Sequence, residues 1–125
     1  MRKLLATTAV LEAATGLGIL ALPSALASLM LGAPLGTPAA VAVARIAGVA
    51  LLALGVACWL ARHDEPGPSA RGLVGAMLLY NFGVIAVLVH EAVGVGMAGI
   101  ALWPTVVVHA VMGVWCITRL RGAQA

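Results

Sequence analysis

Residues 39–61 read AAVAVARIAGVALLALGVACWLA, an apolar run with one charge, Arg45, and residues 62–71 that follow read RHDEPGPSAR. At about 1.5 Å of rise per residue, a helix of this length crosses a hydrocarbon core of about 30 Å. Inside lipid the backbone must satisfy its own hydrogen bonds, which a single segment does only as a helix. The prolines and charges of the next ten residues cannot continue a helix in lipid, so the span ends there and a polar loop begins.

Working outward, residues 4–22 (LLATTAVLEAATGLGILAL) form a second such run, interrupted by Glu12 and closed by Pro23. Residues 72–93 carry no charge until Glu91, and residues 100–118 carry none. The sequence predicts an all-α membrane protein of one domain, residues 1–125, with transmembrane helices at about 4–22, 39–61, 72–93 and 100–118. Short connections make this an antiparallel four-helix bundle. Between the first two spans, PSALASLMLGAPLGTP is apolar but broken by Pro23, Gly32, Pro34, Gly36 and Pro38. Leu26, Leu29 and Met30 share a helical face, which predicts a short helix lying in the membrane interface. Pro104 sits near a helix start, so the fourth helix is expected to be regular only from about Trp103.

Composition agrees. The 125 residues are 63% hydrophobic and 9% charged, with a mean hydropathy of +1.14, whereas soluble domains run at about 45–50% apolar and about 25% charged. Four spans leave no room for a soluble catalytic domain. The net charge of +3 reports topology rather than nucleic acid, because only 4% of residues are aromatic and no basic patch is interleaved with stacking side chains. Cys58 and Cys116 are isolated in apolar runs, which indicates neither a zinc site nor a disulfide framework. MRK, an apolar run and SALA also outline a secretory signal peptide, but Glu12 in the middle of that run argues against cleavage.

With the N-terminus inside, Arg2, Lys3, Arg62, Arg71, Arg119 and Arg121 all fall on the cytoplasmic face, leaving only Arg45 elsewhere. Both termini are therefore expected in the cytoplasm, with the protein in the inner (cytoplasmic) membrane. Trp59 and Trp115 come near one boundary and Trp103 near the other, where indoles prefer to sit.

Polar groups at membrane depth carry the functional information. Counting from the cytoplasmic ends, Glu12 lies roughly 14 Å deep, with Asn81 and His109 about 15 Å deep on the third and fourth helices. Tyr80 adjoins Asn81 but points about 100° away around its helix. Arg45, about 24 Å in, is offset from Glu12 by about 10 Å, a gap that a guanidinium and a carboxylate can close as an intramembrane ion pair. Glu12, Arg45, Tyr80, Asn81 and His109 thus form a candidate polar layer; its bland alternative is interhelical hydrogen bonding, contributing on average about 0.6 kcal/mol per group. His90 and Glu91, at about 28 Å, form a polar pair at the outer boundary, where headgroup water solvates them. Small residues at helical spacing, Ala44 with Gly48 and Gly72 with Ala76, with Gly75 near the latter two, predict close helix approach within the bundle or a homo-oligomer.

Three functions of different class fit these features. The first, favoured, is an accessory or structural subunit of a membrane complex, or a small homo-oligomeric bundle, with the bilayer and its own copies as partners. The second is small-solute or proton translocation through the polar layer. The third is a quinone- or haem-associated redox subunit using His109 as a haem ligand or as a hydrogen-bond partner of a quinone carbonyl; His90 and His109 differ in depth by about 13 Å, which is too far to flank one iron. GxSxG, HExxH and P-loop motifs are absent, so no catalytic or metal-binding residue is assigned, no cofactor is called for by motif, and enzymatic activity is not expected.

GLGILALPSALASLMLG followed by RIAGVALLALGVACW, over the first half of the chain, resembles the small four-helix bacterial membrane proteins of the DoxX-like type in hydropathy, the proline after helix one, and Arg45 with Gly48. The resemblance implies a four-helix bundle in a bacterial cytoplasmic membrane, some relatives being associated with quinone-linked redox enzymes. It transfers no catalytic residue.

Overall fold

The computed structural model describes residues 1–64 and 67–122. Every regular element among them is helical: α1 (Arg2–Ala21), α2 (Pro23–Leu31), α3 (Pro38–Ala61), α4 (Pro68–Val89), which runs on into a π-helical turn (His90–Val95), and α5 (Leu102–Gly122). Four of these, α1, α3, α4 with its π turn, and α5, are each long and apolar enough to cross a membrane. Of the polar loop expected at 62–71, Glu65 and Pro66 lie outside the described residues.

Local chemistry sets the boundaries. α2, α3 and α4 all open with proline in the first turn, where the missing N–H has no intrahelical partner to lose. The Thr37 hydroxyl caps α3 by accepting from the Ala40 N–H at 3.1 Å. α2 ends at Gly32 with φ of 79°, a left-handed conformation that glycine adopts without a Cβ penalty. The third span departs from its expected regular course: the α-helix stops at Val89, a π turn carries His90 and Glu91, and Gly96 at φ 80° ends it. The Met97 N–H there reaches the Glu91 carbonyl at 2.9 Å.

The long helices pack as two pairs. α1 meets α3 backbone to backbone: a Cβ on Gly16 would lie 2.6 Å from the Gly48 carbonyl oxygen, and one on Gly55 would lie 2.9 Å from that of Ala9. Of the expected small-residue faces, the one with Gly48 takes part in this close approach together with Gly55, whereas added Cβ atoms on Gly72 and Gly75 would meet nothing within 4 Å in this chain. α4 meets α5 through Asn81, His109 and Gly113, which faces the Phe82 ring.

The two pairs join tightly at one end only. Around the start of α1 and the end of α5, a core of Met1, Leu4, Leu5, Ala9, Cys58, Ala70, Val74, Met77, Met112 and Cys116 is sealed. Toward the other end the pairs diverge around a hollow, and α2 covers it. Leu26 and Met30 of α2 face this hollow while Leu29 stays 48% exposed, so part of the apolar face read from the sequence roofs the cavity. The Gly99 and Ala101 N–H groups, just before α5, donate to the Met30 and Leu29 carbonyls at 2.9 and 2.8 Å. Unpaired donors at one helix start thereby satisfy unpaired acceptors at another helix end.

Candidate functional site

The hollow is a cavity of about 610 Å³ to which α1, α2, α3, α4 and α5 all contribute, a size within the range of about 300–1,000 Å³ typical of small-molecule sites. Its walls are apolar: Ile19 from α1, Leu26, Ala27 and Met30 from α2, Ala44, Ala47 and Leu51 from α3, Val84 from α4, and Val108 from α5. Its floor is polar, and consists of Glu12, Tyr80, Asn81 and His109 with Thr8 and Thr15 beside them.

Asn81, His109 and Tyr80 are held by defined contacts. The Asn81 amide donates to the Met77 carbonyl of its own helix at 2.7 Å, and Asn81 Oδ1 lies 2.8 Å from His109 Nδ1 on α5. Tyr80, one residue earlier, meets the His109 ring edge-on with centroids 5.6 Å apart, and its hydroxyl lies near enough to the Glu12 carboxyl of α1 to interact with it. Glu12, Tyr80, His109 and Asn81 therefore form one polar chain across three helices. The Thr8 hydroxyl, one turn from Glu12, is buried without a hydrogen-bond partner among the described residues, which costs about 1–3 kcal/mol.

Four of the five residues of the expected polar layer thus come together, and Arg45 does not. It is exposed on α3 and does not line the cavity. The Glu12–Arg45 ion pair is not formed, because Glu12 turns toward α4 while Arg45 projects away from the hollow. His90 is exposed and Glu91 half-buried in the π turn, and neither lines the cavity. Cys58 and Cys116 are fully buried in the sealed end. Thr8, Thr15 and Thr105 are floor or wall residues that depth alone did not single out; Thr8 and Thr15 lie four before and three after Glu12, and Thr105 four before His109, so helical spacing already placed them on the same faces.

The contacts restrict what His109 can do. The Met77 carbonyl only accepts, so the Asn81 amide group faces it and the Asn81 oxygen faces His109; that oxygen also only accepts, so Nδ1 carries the proton. A neutral His109 then offers Nε2 as a lone pair, which cannot donate to a quinone carbonyl as expected from sequence. A lone pair of this kind could serve as a ligand to a metal ion.

A shallower apolar crevice of about 330 Å³ on α4, beside Gly83, Val87 and Leu88, shares Tyr80 and Val84 with the cavity. No protein-family model, curated protein or solved structure matches this chain.

Proposed function

We propose that this chain is a multi-pass protein of the bacterial cytoplasmic membrane, with four helices running up, down, up and down and both termini inside, and that it serves as a non-catalytic binding subunit for a small amphipathic molecule drawn from the bilayer. One observation carries this: a cavity of small-molecule size, apolar along its walls, ends on a floor of Glu12, Tyr80, Asn81 and His109. A purely structural bundle would close such a hollow, because in lipid helices associate through packing. Lone polar groups at mid-membrane are costly, whereas a ligand head that meets them offsets that cost. Tyr80 and Val84 stand between this cavity and the apolar crevice on α4.

Translocation is less well supported. Beneath the floor, Leu4, Leu5, Ala70, Val74, Cys58 and Cys116 are at most 1% exposed, so the polar chain has no continuation toward the end where the chain terminates. The role of accessory subunit, whether in a larger complex or in a homo-oligomer, is compatible with the cavity and gains content from it.

Photolabelling tests the proposal. A small lipid-soluble aryl diazirine, incorporated with the protein in lipid nanodiscs, should label cavity residues saturably, with unlabelled aryl compound competing. Ala47→Trp, which fills the hollow from α3, should abolish that labelling while surface labelling persists. Labelling that rises linearly with probe and ignores Ala47→Trp would refute a binding cavity.

A further inference from the structure

The hydrogen bonds that fix the His109 ring also define the chemistry that the cavity floor lacks. Nδ1–H is committed to Asn81 at 2.8 Å, and Nε2 has no partner among the described residues although His109 lines the cavity. Elsewhere on the floor the Thr8 and Tyr80 hydroxyls and the Glu12 carboxyl can each donate or accept. His109 Nε2 alone offers only a lone pair, and the group that meets it must donate. A cationic ammonium donates but carries a charge to mid-bilayer depth, which is expensive. A hydroxyl donates without charge.

Resting on the ligand-binding role of the cavity, we infer that it selects neutral amphipaths with a hydroxyl head, phenolic or alcoholic, over carbonyl- or ether-headed molecules of the same shape. The hydroxyl proton goes to His109 Nε2, and the apolar body lies along Leu26, Met30, Ala47 and Leu51 beneath α2. Asn81 is a positioning residue: it touches no ligand, and it holds the ring so that Nε2 remains the lone pair. An ether or ketone of equal size fills the same walls but leaves Nε2 buried and unpaired.

A matched pair of competitors decides the matter. In the photolabelling assay, 4-nonylphenol should displace the probe at about tenfold lower concentration than 4-nonylanisole, the scale set by one hydrogen bond and the acceptor left unmade without it. Asn81→Leu, which releases the ring, and His109→Leu, which removes the acceptor, should each bring the ratio close to one. Nitrogen-15 NMR of the wild-type protein in lipid gives a readout that needs no variant: His109 should show a protonated Nδ1 and a bare Nε2 whose signal moves on adding the phenol but not the anisole. Equal competition by the two compounds would overturn the donor preference and leave the binding cavity standing. A protonated Nε2 in the free protein would also overturn it. Absence of any saturable labelling would remove the cavity role and the preference together.

Discussion

Gly16→Ala is the substitution for which the structure yields the clearest magnitude. The new methyl would lie 2.6 Å from the Gly48 carbonyl oxygen and 2.8 Å from the Leu52 amide nitrogen. Both are backbone atoms of α3, so no rotamer change relieves the clash. Carbon–oxygen contacts settle at about 3.3 Å or more, so α1 and α3 must separate by roughly 0.7 Å at that level. Overpacking of this kind costs about 1–3 kcal/mol, and the better helix propensity of alanine returns at most about 1 kcal/mol. With the propensity gain returned in full, a net loss of up to about 2 kcal/mol is expected. Gly72→Ala is the control, since its methyl meets nothing within 4 Å; it should be neutral or slightly stabilising. The assay is reversible unfolding by increasing the mole fraction of sodium dodecyl sulfate in mixed micelles, followed by circular dichroism. If Gly16→Ala and Gly72→Ala shift the midpoint equally, the backbone contact between α1 and α3 is not what holds the pair.

Further expectations concern the polar floor and the orientation. In a double-mutant cycle, Glu12→Gln and Tyr80→Phe should couple by more than about 0.5 kcal/mol, whereas Glu12→Gln and Arg45→Gln should be additive within that margin; strong coupling to Arg45 would mean that Glu12 faces α3 after all. In intact cells, a membrane-impermeant maleimide should reach a cysteine placed at Pro34 but not one placed at Gly67, and the opposite pattern would reverse the proposed topology. Both measurements can retain the native Cys58 and Cys116, which are fully buried and should resist the reagent until the protein is denatured.

The roof explains why the third span is irregular. α2 ends with carbonyls that have no partner in their own helix, and the segment before α5 begins with N–H groups in the same state. Bringing Gly99 against Leu29 satisfies both, and only glycine fits there, because an added Cβ would overlap the Leu29 carbonyl. The π turn at His90–Val95 and the left-handed Gly96 redirect the chain after α4, ahead of that contact.

The sequence by itself determined the four long helices, their approximate ends and the height of each polar group along its helix, because these depend on hydropathy, proline placement and rise per residue, all of which are local. It also marked Glu12, Tyr80, Asn81 and His109. It did not determine which charge Glu12 would meet. Depth is one coordinate of two, and the rotation of each helix about its axis comes from packing: the Gly16–Gly48 and Ala9–Gly55 contacts set how α1 lies on α3, while Glu12 faces Tyr80 and Arg45 is left exposed. The role of α2 was equally out of reach, since an apolar face suits an interface or a hollow alike, and only the divergence of the two helix pairs opened the space that Leu26 and Met30 cover.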